Sequence, residues 1–258
     1  MTMKLALIGH PVAHSQSPAL YDAMFRRLGL EGSSYSLVDI APEELNRERL
    51  LRLVDELGLT GFNVTVPHKV AVLPMLDEVS DEARAIGAVN TVVVRDGRLY
   101  GYNTDAGAFS ESLVPHLQPC HTRALILGTG GAARAVAYAL GQLGIEYLYV
   151  SRCPKGKDMV PYSEALRLAD ASRLVVNATP VGMPPLQALS PWPDASVLGP
   201  SHLCYDLVYT PSPTRFLAEA AARGAAVVDG KEMLRLQAEH SIKLFMGMFF
   251  SPTDCKRF

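Results

Sequence analysis

The residues best placed to do chemistry lie between Asn63 and Lys69, where the chain reads NVTVPHK. Side chains of an extended strand alternate between two faces, so Asn63 and Thr65 are predicted to face a ligand while Val64 and Val66 are buried. Proline cannot extend the hydrogen-bond ladder, so Lys69 would follow the strand end, where α/β folds place their ligands. An ordinary amphipathic strand followed by a surface lysine would have the same pattern.

The elements that must position these residues alternate between strand-like and helix-like segments, which predicts an α/β fold with largely parallel sheets. In the first part of the chain we predict strands at 5–8 and 35–39 and helices at 17–28 and 42–57. Ser17 would be the N-cap of the first helix, because Pro18 suits the position that follows it. The dipeptide Asp96-Gly97 is typical of a two-residue hairpin turn, so the first sheet is expected to be mixed.

A second unit begins where the chain takes up a tighter βαβ rhythm, near residue 123. Its sequence LGTGGAAR follows a predicted strand and opens an alanine-rich helix, as the motif G-x-G-x-x-A requires. Backbone N–H groups of this turn would face a pyrophosphate, and the residues concerned are Gly128, Thr129, Gly130, Gly131 and Ala132. Tight turns also use glycine for steric reasons alone. In this context the motif predicts a Rossmann-type, doubly wound domain that binds a dinucleotide.

The residues after the next strand distinguish NAD from NADP. An acidic residue there would accept a hydrogen bond from the adenosine ribose, but this chain has Ser151 and Arg152. Arg152, with Lys155 and Lys157 close behind, suits a 2′-phosphate, because a guanidinium pairs with phosphate through two hydrogen bonds. We therefore predict NADP(H) as the cofactor. Solvated charges on a surface loop are the alternative.

Composition restricts the class of protein further. A chain of 258 residues, 48% of them hydrophobic, can bury the core of one large or two ordinary domains. A net charge of -2 provides no basic surface for nucleic acid. The four cysteines are widely spaced, so neither a zinc site nor a disulfide framework is indicated, and a reducing cytoplasm fits best. No apolar run has spanning length, and residues 1–8 are too short for a signal sequence, so no membrane partner is expected.

Seven motifs, spread along nearly the whole chain, resemble those of the shikimate dehydrogenase family. They are GHPVAHSQSP at 9–18, NVTVPHK at 63–69, GAVNT at 87–91, NTD at 103–105, GTGGAAR at 128–134, NAT at 177–179 and DGKEMLRLQ at 229–237. The resemblance implies an enzyme that reduces 3-dehydroshikimate to shikimate with NADPH, reversibly, in the chorismate pathway of aromatic amino acid biosynthesis. We expect a monomer or homodimer.

The domain organisation follows from the change of rhythm and from the resemblance. A mixed-sheet substrate domain is expected at 1–105 and 231–258, with an NADP-binding Rossmann domain at 106–230. The last helix, predicted over 231–250, would return to the first domain and bring Gln237 to the substrate. Its apolar residues, among them Met233, Phe245 and Phe249, are expected to pack in the core.

The resemblance also implies which residues hold the substrate. They are Ser15, Ser17 and Tyr209 on the carboxylate side, and Thr65, Asn90 and Gln237 around the ring. Two hydroxyl groups two residues apart in an extended segment can both point at one anion, and the helix start after them favours negative charge. A serine pair that caps the helix is the alternative, and it is compatible with binding.

Hydride transfer to a ketone creates an alkoxide, so the reaction needs a proton donor at the carbonyl oxygen. Lys69 suits that role, and the resemblance implies that Lys69 and Asp105 form the catalytic pair. Asp105 has a structural alternative, because it precedes a predicted helix and aspartate is a good N-cap.

The remaining cofactor contacts are implied by the resemblance alone. Asn177 and Thr179 would meet the adenine or ribose, and Leu207 and Gly230 the nicotinamide side. The chain departs from the family where Asn-Arg-Thr is usual and it has Ser151-Arg152-Cys153, and where it has Pro180 instead of the usual serine. These departures are expected to affect how tightly the cofactor binds and how strictly NADP is preferred over NAD.

Two other functions fit the same motifs. A quinate or dual quinate/shikimate dehydrogenase shares the fold, although those that use NAD tend to carry an acidic residue near Ser151. A non-catalytic NADP-binding regulator would keep the cofactor site but would not need Lys69 and Asp105.

Overall fold

A computed structural model describes residues 2–247 of the chain. They form two compact units, one with the residues up to Asp105 and those from Gln237 onward, the other with Ala106–Leu236. Within the described residues each unit is built on its own six-stranded sheet flanked by helices. The predicted α/β class is confirmed, whereas the division into a substrate domain and a cofactor domain stays a prediction.

The first unit contains a mixed sheet, as the hairpin predicted. Its strands are β1 (Lys4–Gly9), β2 (Ser34–Asp39), β3 (Gly61–Val64), β4 (Glu78–Val79), β5 (Thr91–Arg95) and β6 (Arg98–Tyr102). They lie in the order β2-β1-β3-β5-β6-β4, with β1 parallel to β2 and β3, and β5 antiparallel to both β3 and β6. Asp96 and Gly97 both have positive φ, +50° and +71°, which the two-residue turn between β5 and β6 requires.

Helices cover both faces of this sheet. They are α1 (Ser17–Arg27), α2 (Arg47–Leu57), α3 (His68–Ala71), α4 (Asp81–Ile86) and the later part of α9 (Lys231–Phe245). Leu5 and Leu7 of β1 belong to the core cluster that α1 and α9 share, whereas Ala6 and Ile8 belong to the cluster that contains α2. Both faces of the central strands are therefore buried, as is usual for parallel strands.

The second unit has the strand order of a dinucleotide-binding fold. Its strands are β7 (Arg123–Leu127), β8 (Glu146–Val150), β9 (Met159–Val160), β10 (Leu174–Asn177), β11 (Leu203–Asp206) and β12 (Ala226–Val228), and its helices are α5 (Asp105–Leu113), α6 (Gly131–Gln142), α7 (Tyr162–Arg167) and α8 (Arg215–Ala221), with the start of α9. All neighbours in the order β12-β11-β10-β7-β8-β9 are parallel. Renumbered within the unit, this is 6-5-4-1-2-3, the Rossmann order, with the topological switch between β7 and β10.

Two predicted helix starts were wrong. The N-cap of α1 is Gln16, so Ser17 lies inside the helix, and the Oγ atom of Ser15 accepts from the Ser17 N–H at 3.2 Å. The helix predicted over 42–57 is divided into a 3-10 turn at Pro42–Glu44 and α2. Asn46 causes the break, because its backbone is extended and its side chain caps α2 by accepting from the Arg49 N–H at 2.9 Å.

The last helix is shorter than predicted. It ends at Phe245, since the left-handed backbone of Gly247, with φ of +76°, turns the chain and its N–H bonds to the Leu244 carbonyl. Met233 and Phe245 are buried, as predicted for core residues. Phe249 lies outside the described residues.

No helix within residues 2–247 combines the length and the apolar character needed to cross a membrane.

Candidate active site

The carboxyl ends of β1 and β3 lie side by side, because Ile8 pairs with Val64 in parallel register. A Cβ atom added to Gly9 would lie 2.3 Å from the Thr65 Cγ2 atom and 3.0 Å from the Val66 carbonyl oxygen. Only glycine fits there, so Gly9 allows the Thr65 side chain to lie over the end of β1. Thr65 is half-buried at this sheet edge, where α/β folds bind ligands.

The loop that carries the two serines is attached to the neighbouring strand end. The Asp39 carboxylate, at the end of β2, pairs with the His10 Nδ1 atom at 2.5 Å and accepts from the Val12 N–H at 3.1 Å. These hydrogen bonds lower the pKa of Asp39. Further along the loop the Ser15 hydroxyl donates to the Ser17 Oγ atom at 3.1 Å. The two hydroxyls are thus adjacent at the start of α1, with Ser15 half-buried and Ser17 buried.

Lys69, Asp105 and Asn90 form a connected group in the first unit. The Lys69 Nζ atom donates to the Asp105 Oδ2 atom at 2.6 Å, and the side chains of the two residues are 14% and 5% exposed. The Asn90 Nδ2 atom donates to the other oxygen, Asp105 Oδ1, at 2.9 Å. Asn103 accepts from the Asp105 N–H at 3.0 Å. Both carboxylate oxygens are therefore held by side chains from other segments, in the arrangement that a lysine needs to be oriented as a proton donor.

Asn63 is placed differently from what alternation along its strand suggested. It is buried in β3 opposite Thr91 of β5, on the sheet face that α1 and α9 cover. Its Oδ1 atom accepts from the hydroxyls of Tyr21 and Tyr35, both at 2.9 Å. Its Nδ2 atom donates to the Asn90 carbonyl, Thr91 and Ser241. The polar atoms of this amide therefore have protein partners, and its predicted contact with substrate stays a prediction.

The valine pattern was only partly right. Val64 is 2% exposed, but β3 ends there and Val66 is 54% exposed. Beyond Val64 the chain stays bonded to the end of β1 and to the residue that follows it. The Thr65 N–H bonds to the Ile8 carbonyl, and the Val66 carbonyl accepts from the His10 N–H.

In the second unit the glycine turn after β7 fits a pyrophosphate. Gly128 has φ of +103°, and an added Cβ atom would lie 3.0 Å from the Thr179 Cγ2 atom. Gly130 is an extended N-cap without a capping side chain, and an added Cβ atom would meet nothing within 4 Å. Thr129 and Gly130 are exposed, and Gly131 and Ala132 open α6. The backbone at the helix start is accordingly open to an anion.

The loop after β8 carries positively charged side chains, which suit a negatively charged phosphate. Ser151 is half-buried, whereas Arg152, Lys155 and Lys157 are exposed. Within residues 2–247, none of the ion pairs involves the Arg152 guanidinium. Its charge does act on the nearby Tyr162 hydroxyl, whose pKa is raised by burial and lowered by Arg152.

The ends of β10 and β11 are joined through a buried carboxylate that the sequence did not single out. Asp206 Oδ1 accepts from the Asn177 Nδ2 atom at 2.8 Å and from the Val208 N–H at 2.9 Å, and Asp206 Oδ2 accepts from the Thr214 hydroxyl at 2.7 Å. Asn177 Oδ1 in turn accepts from the Thr179 N–H and hydroxyl at 3.0 and 2.7 Å. Asp206 thus fixes the turn that contains both predicted adenine-side residues.

Asp206 gives the fold a testable dependence on pH. Burial raises its pKa from 3.8 to about 6, although the hydrogen bond from Thr214 opposes the shift. The folded state therefore holds the Asp206 proton more tightly than the unfolded state does. The stabilisation that this bound proton contributes is complete below about pH 4 and is lost as the pH rises through about 6. A shift of two pKa units corresponds to roughly 3 kcal/mol.

We expect Asp206→Asn to remove this dependence. Relative to the wild type, the free energy of unfolding of the variant should rise by up to about 3 kcal/mol between pH 4 and pH 7, as measured by urea denaturation. The exposed Asp170→Asn change, which removes a carboxylate from the surface of the same unit, is the control. Parallel pH curves for Asp206→Asn and the wild type would contradict the prediction.

Three of the other predicted residues lie just outside helices or strands, and the fourth lies within α9. Leu207 and Tyr209 follow β11, and the Leu207 N–H bonds to the Asn177 carbonyl at 3.0 Å. A Cβ atom added to Gly230 would lie 2.2 Å from the Leu207 carbonyl oxygen, so glycine is required there for backbone packing. Gln237 is on α9 in the first unit, one turn before Ser241.

The structure also connects residues that sequence reasoning missed. Thr91 and Thr104 lie inside the GAVNT and NTD motifs, whereas Ser241 lies outside all seven motifs. The available signal for Ser241 was its spacing, because it follows Gln237 by four residues and so lies on the same helix face among apolar neighbours.

A Rossmann-type unit joined to a mixed-sheet unit with a lysine–aspartate pair defines a two-domain oxidoreductase. Comparison with known proteins narrows this class. Residues 7–92 match the family model of the shikimate dehydrogenase substrate binding domain. The NADP(+) shikimate dehydrogenase of Symbiobacterium thermophilum is 41% identical over 98% of this chain and 92% of its own.

Solved structures agree with this. Shikimate 5-dehydrogenase from Thermus thermophilus, in complex with NADP(H) and shikimate, has a TM-score of 0.85 at 42% identity, covering 98% of this chain and 96% of that one. Quinate dehydrogenase from Corynebacterium glutamicum, in complex with NAD, has a TM-score of 0.83 at 31% identity, with 98% and 96% covered. The chain belongs to the shikimate dehydrogenase family.

Proposed function

We propose that this protein catalyses the reversible reduction of 3-dehydroshikimate to shikimate with NADPH. The observation that carries the proposal is the 2.6 Å contact between Lys69 Nζ and Asp105 Oδ2, in a chain 41% identical to an NADP(+) shikimate dehydrogenase. A buried carboxylate beside an ammonium group orients it toward one acceptor. The Asn90 amide, on the second carboxylate oxygen, limits the rotation of Asp105.

The chemistry assigned to the chain is proton transfer. When bound, NADPH supplies the hydride that converts the ketone to an alkoxide. Lys69 Nζ gives a proton to that oxygen, and the resulting amine regains a proton from solvent. In the opposite direction the neutral amine of Lys69 accepts the hydroxyl proton of shikimate. Asp105 accepts from the Lys69 nitrogen and holds it in place.

Substrate binding is assigned mainly to neutral groups. The Ser15 and Ser17 hydroxyls are 3.1 Å apart and can both turn to donate to one carboxylate near the start of α1. Tyr209 is assigned to the same carboxylate, and Thr65, Asn90 and Gln237 to the ring hydroxyls. The cofactor is assigned to the glycine turn, to Ser151, Arg152 and Lys155, and to Asn177, Thr179, Leu207 and Gly230.

A steady-state assay tests the function. The purified protein is given shikimate or quinate, each with NADP or NAD, and formation of the reduced nicotinamide is followed by absorbance. The proposal expects the highest kcat/KM for shikimate with NADP. Comparable rates with quinate and NAD would favour a quinate/shikimate dehydrogenase, which the likeness to the NAD-bound quinate enzyme keeps as the second candidate. Cofactor binding without turnover of either acid would indicate a regulator.

Asp105→Asn separates the catalytic role from the helix cap. Asparagine keeps the size and the capping ability of the side chain but removes its charge. We expect kcat to fall about 100-fold, because Lys69 loses the anion that orients it. Thermal unfolding of the same sample checks that the fold is retained. Undiminished kcat would favour the cap alone.

The proposal also covers the domain organisation, the cellular compartment and the oligomeric state of the protein. The residues up to 105 and from 231 onward would form the substrate domain and residues 106–230 the NADP domain. Cys120, Cys153 and Cys204 are free thiols, which fits a reducing cytoplasm. A monomer or homodimer is proposed, and sedimentation velocity would distinguish the two.

A further inference from the structure

A buried group of polar side chains lies behind the Lys69–Asp105 pair in the first unit. Its members, here called the support network, are Asn63, Asn90, Thr91, Thr104 and Ser241, and each is at most 5% exposed. Three hydroxyls meet within it. Ser241 Oγ lies 2.8 Å from Thr91 Oγ1 and 3.0 Å from Thr104 Oγ1. Polar groups buried in this way are costly unless they are paired, so the network is a specific arrangement.

The orientation of both side-chain amides in the network is fixed by neighbours that can only donate or only accept a hydrogen bond. Asn90 Oδ1 accepts from the Thr104 N–H at 2.8 Å, so its Nδ2 atom must face the Asp105 carboxylate. Asn63 Nδ2 lies 3.1 Å from the Asn90 carbonyl, which can only accept, so Asn63 Oδ1 must face the two tyrosines. Burial raises the pKa of Tyr21, which keeps that hydroxyl protonated as a donor.

Ser241 is the member of the network that a helix contributes. It lies on α9 among Ala238, Ile242 and Phe245, which are buried in the apolar core. Its hydroxyl accepts from Asn63 Nδ2 at 3.1 Å. The Tyr21 hydroxyl is a further neighbour of Ser241. With one hydrogen on each hydroxyl, a consistent arrangement has Ser241 donating to Thr91 and accepting from Thr104.

The hydroxyls of the network converge on the Asn90 amide. Thr91 donates to Asn90 Oδ1 at 3.1 Å, and Asn90 Nδ2 donates to Thr104 Oγ1 at 2.9 Å. Without the Ser241 hydroxyl, Thr104 loses an acceptor and Thr91 a donor. Thr104 would then turn to Asn90 Oδ1, which lies 3.3 Å away and already has two donors. A third donor on this oxygen would displace the Asn90 side chain without flipping it, and the Asp105 carboxylate that Nδ2 holds at 2.9 Å would shift with it.

We infer that Ser241 is a positioning residue for catalysis, which fixes the Asn90 amide and through it the Asp105 carboxylate. This role rests on the proposed function of Lys69 and Asp105. Small displacements of catalytic groups reduce rates strongly, since about 1 Å can cost a hundredfold.

The experiment compares Ser241→Ala with Ser241→Thr and Ser112→Ala. Ser112 is an equally buried serine in the second unit, with its hydroxyl on the Phe109 carbonyl and the Tyr205 hydroxyl. We expect Ser241→Ala to lower kcat roughly tenfold with KM for shikimate and NADP changed less than twofold, and to raise the isotope effect with shikimate deuterated at the reacting carbon. Ser241→Thr keeps the hydroxyl and should recover most of kcat. Ser112→Ala should lose stability only.

A measurement that does not depend on turnover distinguishes failure of the Ser241 inference from failure of the proposed function. In the wild type the Asn90 side-chain amide should exchange slowly with solvent by NMR, and Ser241→Ala should accelerate that exchange. If the wild type fails to oxidise shikimate but this exchange still changes, the proposed function fails and the positioning of Asn90 by Ser241 holds. Unchanged exchange, or kcat within twofold of the wild type, overturns the inference. Should Ser241→Ala not fold, Ser241→Cys, of similar volume and weaker hydrogen bonding, replaces it in both measurements.

Discussion

Replacing Lys69 with methionine is expected to lower kcat by about 10²–10⁴-fold, because the alkoxide would lose its positioned proton donor. The KM for shikimate should change far less, since the serines and Thr65 that are assigned to the substrate remain. Steady-state kinetics in both directions measures this. The exposed Lys243→Met change removes the same charge from the same unit and should leave kcat unaltered.

A loss of activity could also come from the fold, because Lys69→Met leaves the 5% exposed carboxylate of Asp105 without its counter-ion. Breaking a buried ion pair in this way costs roughly 3 kcal/mol of stability. The double variant Lys69→Met/Asp105→Asn removes both charges and should regain most of that stability while kcat stays low. Turnover that recovers together with stability would show that Lys69 acts through the fold, and a single variant with near-normal turnover would refute the donor role.

The second unit was predictable from sequence because its signals are local. A strand, a glycine turn and an alanine-rich helix follow one another within 123–142, and β7, α6 and β8 formed where the pattern placed them. The strand order that results is the usual one for this fold, since right-handed crossovers allow few others. The hairpin at Asp96-Gly97 was equally local.

The surroundings of Asn63 could not be predicted in the same way. Alternation along a strand indicates which residues share a face, but it does not tell which face other elements cover. Tyr21 and Ser241, 42 and 178 residues away in sequence, occupy the face that alternation had assigned to a ligand. The same reason explains why Asp206 went unnoticed, because its partner Asn177 becomes a neighbour only when β10 and β11 pair.

We predict that Arg152 determines the choice of cofactor, so reversing its charge should reverse the preference for NADP over NAD. A charge-assisted hydrogen bond to phosphate contributes about 1.5–3 kcal/mol, and a carboxylate in its place adds repulsion. We therefore expect Arg152→Glu to lower kcat/KM for NADP at least about 100-fold, since roughly 2.7 kcal/mol corresponds to that factor. Activity with NAD should stay the same or rise, because a carboxylate can accept from the ribose hydroxyl.

The control for Arg152→Glu is Arg167→Glu, an exposed residue on α7 that changes the net charge equally. If the loss arose from the overall field of the protein, both variants would lose NADP activity together, and both losses would shrink as salt screens the charges. A direct contact between Arg152 and the cofactor phosphate predicts that only Arg152→Glu loses NADP activity. An equal loss of NADP and NAD activity would instead mean that the loop after β8 supports the adenosine without reading its phosphate, and the predicted NADP preference would then have to come from Ser151 or Lys155.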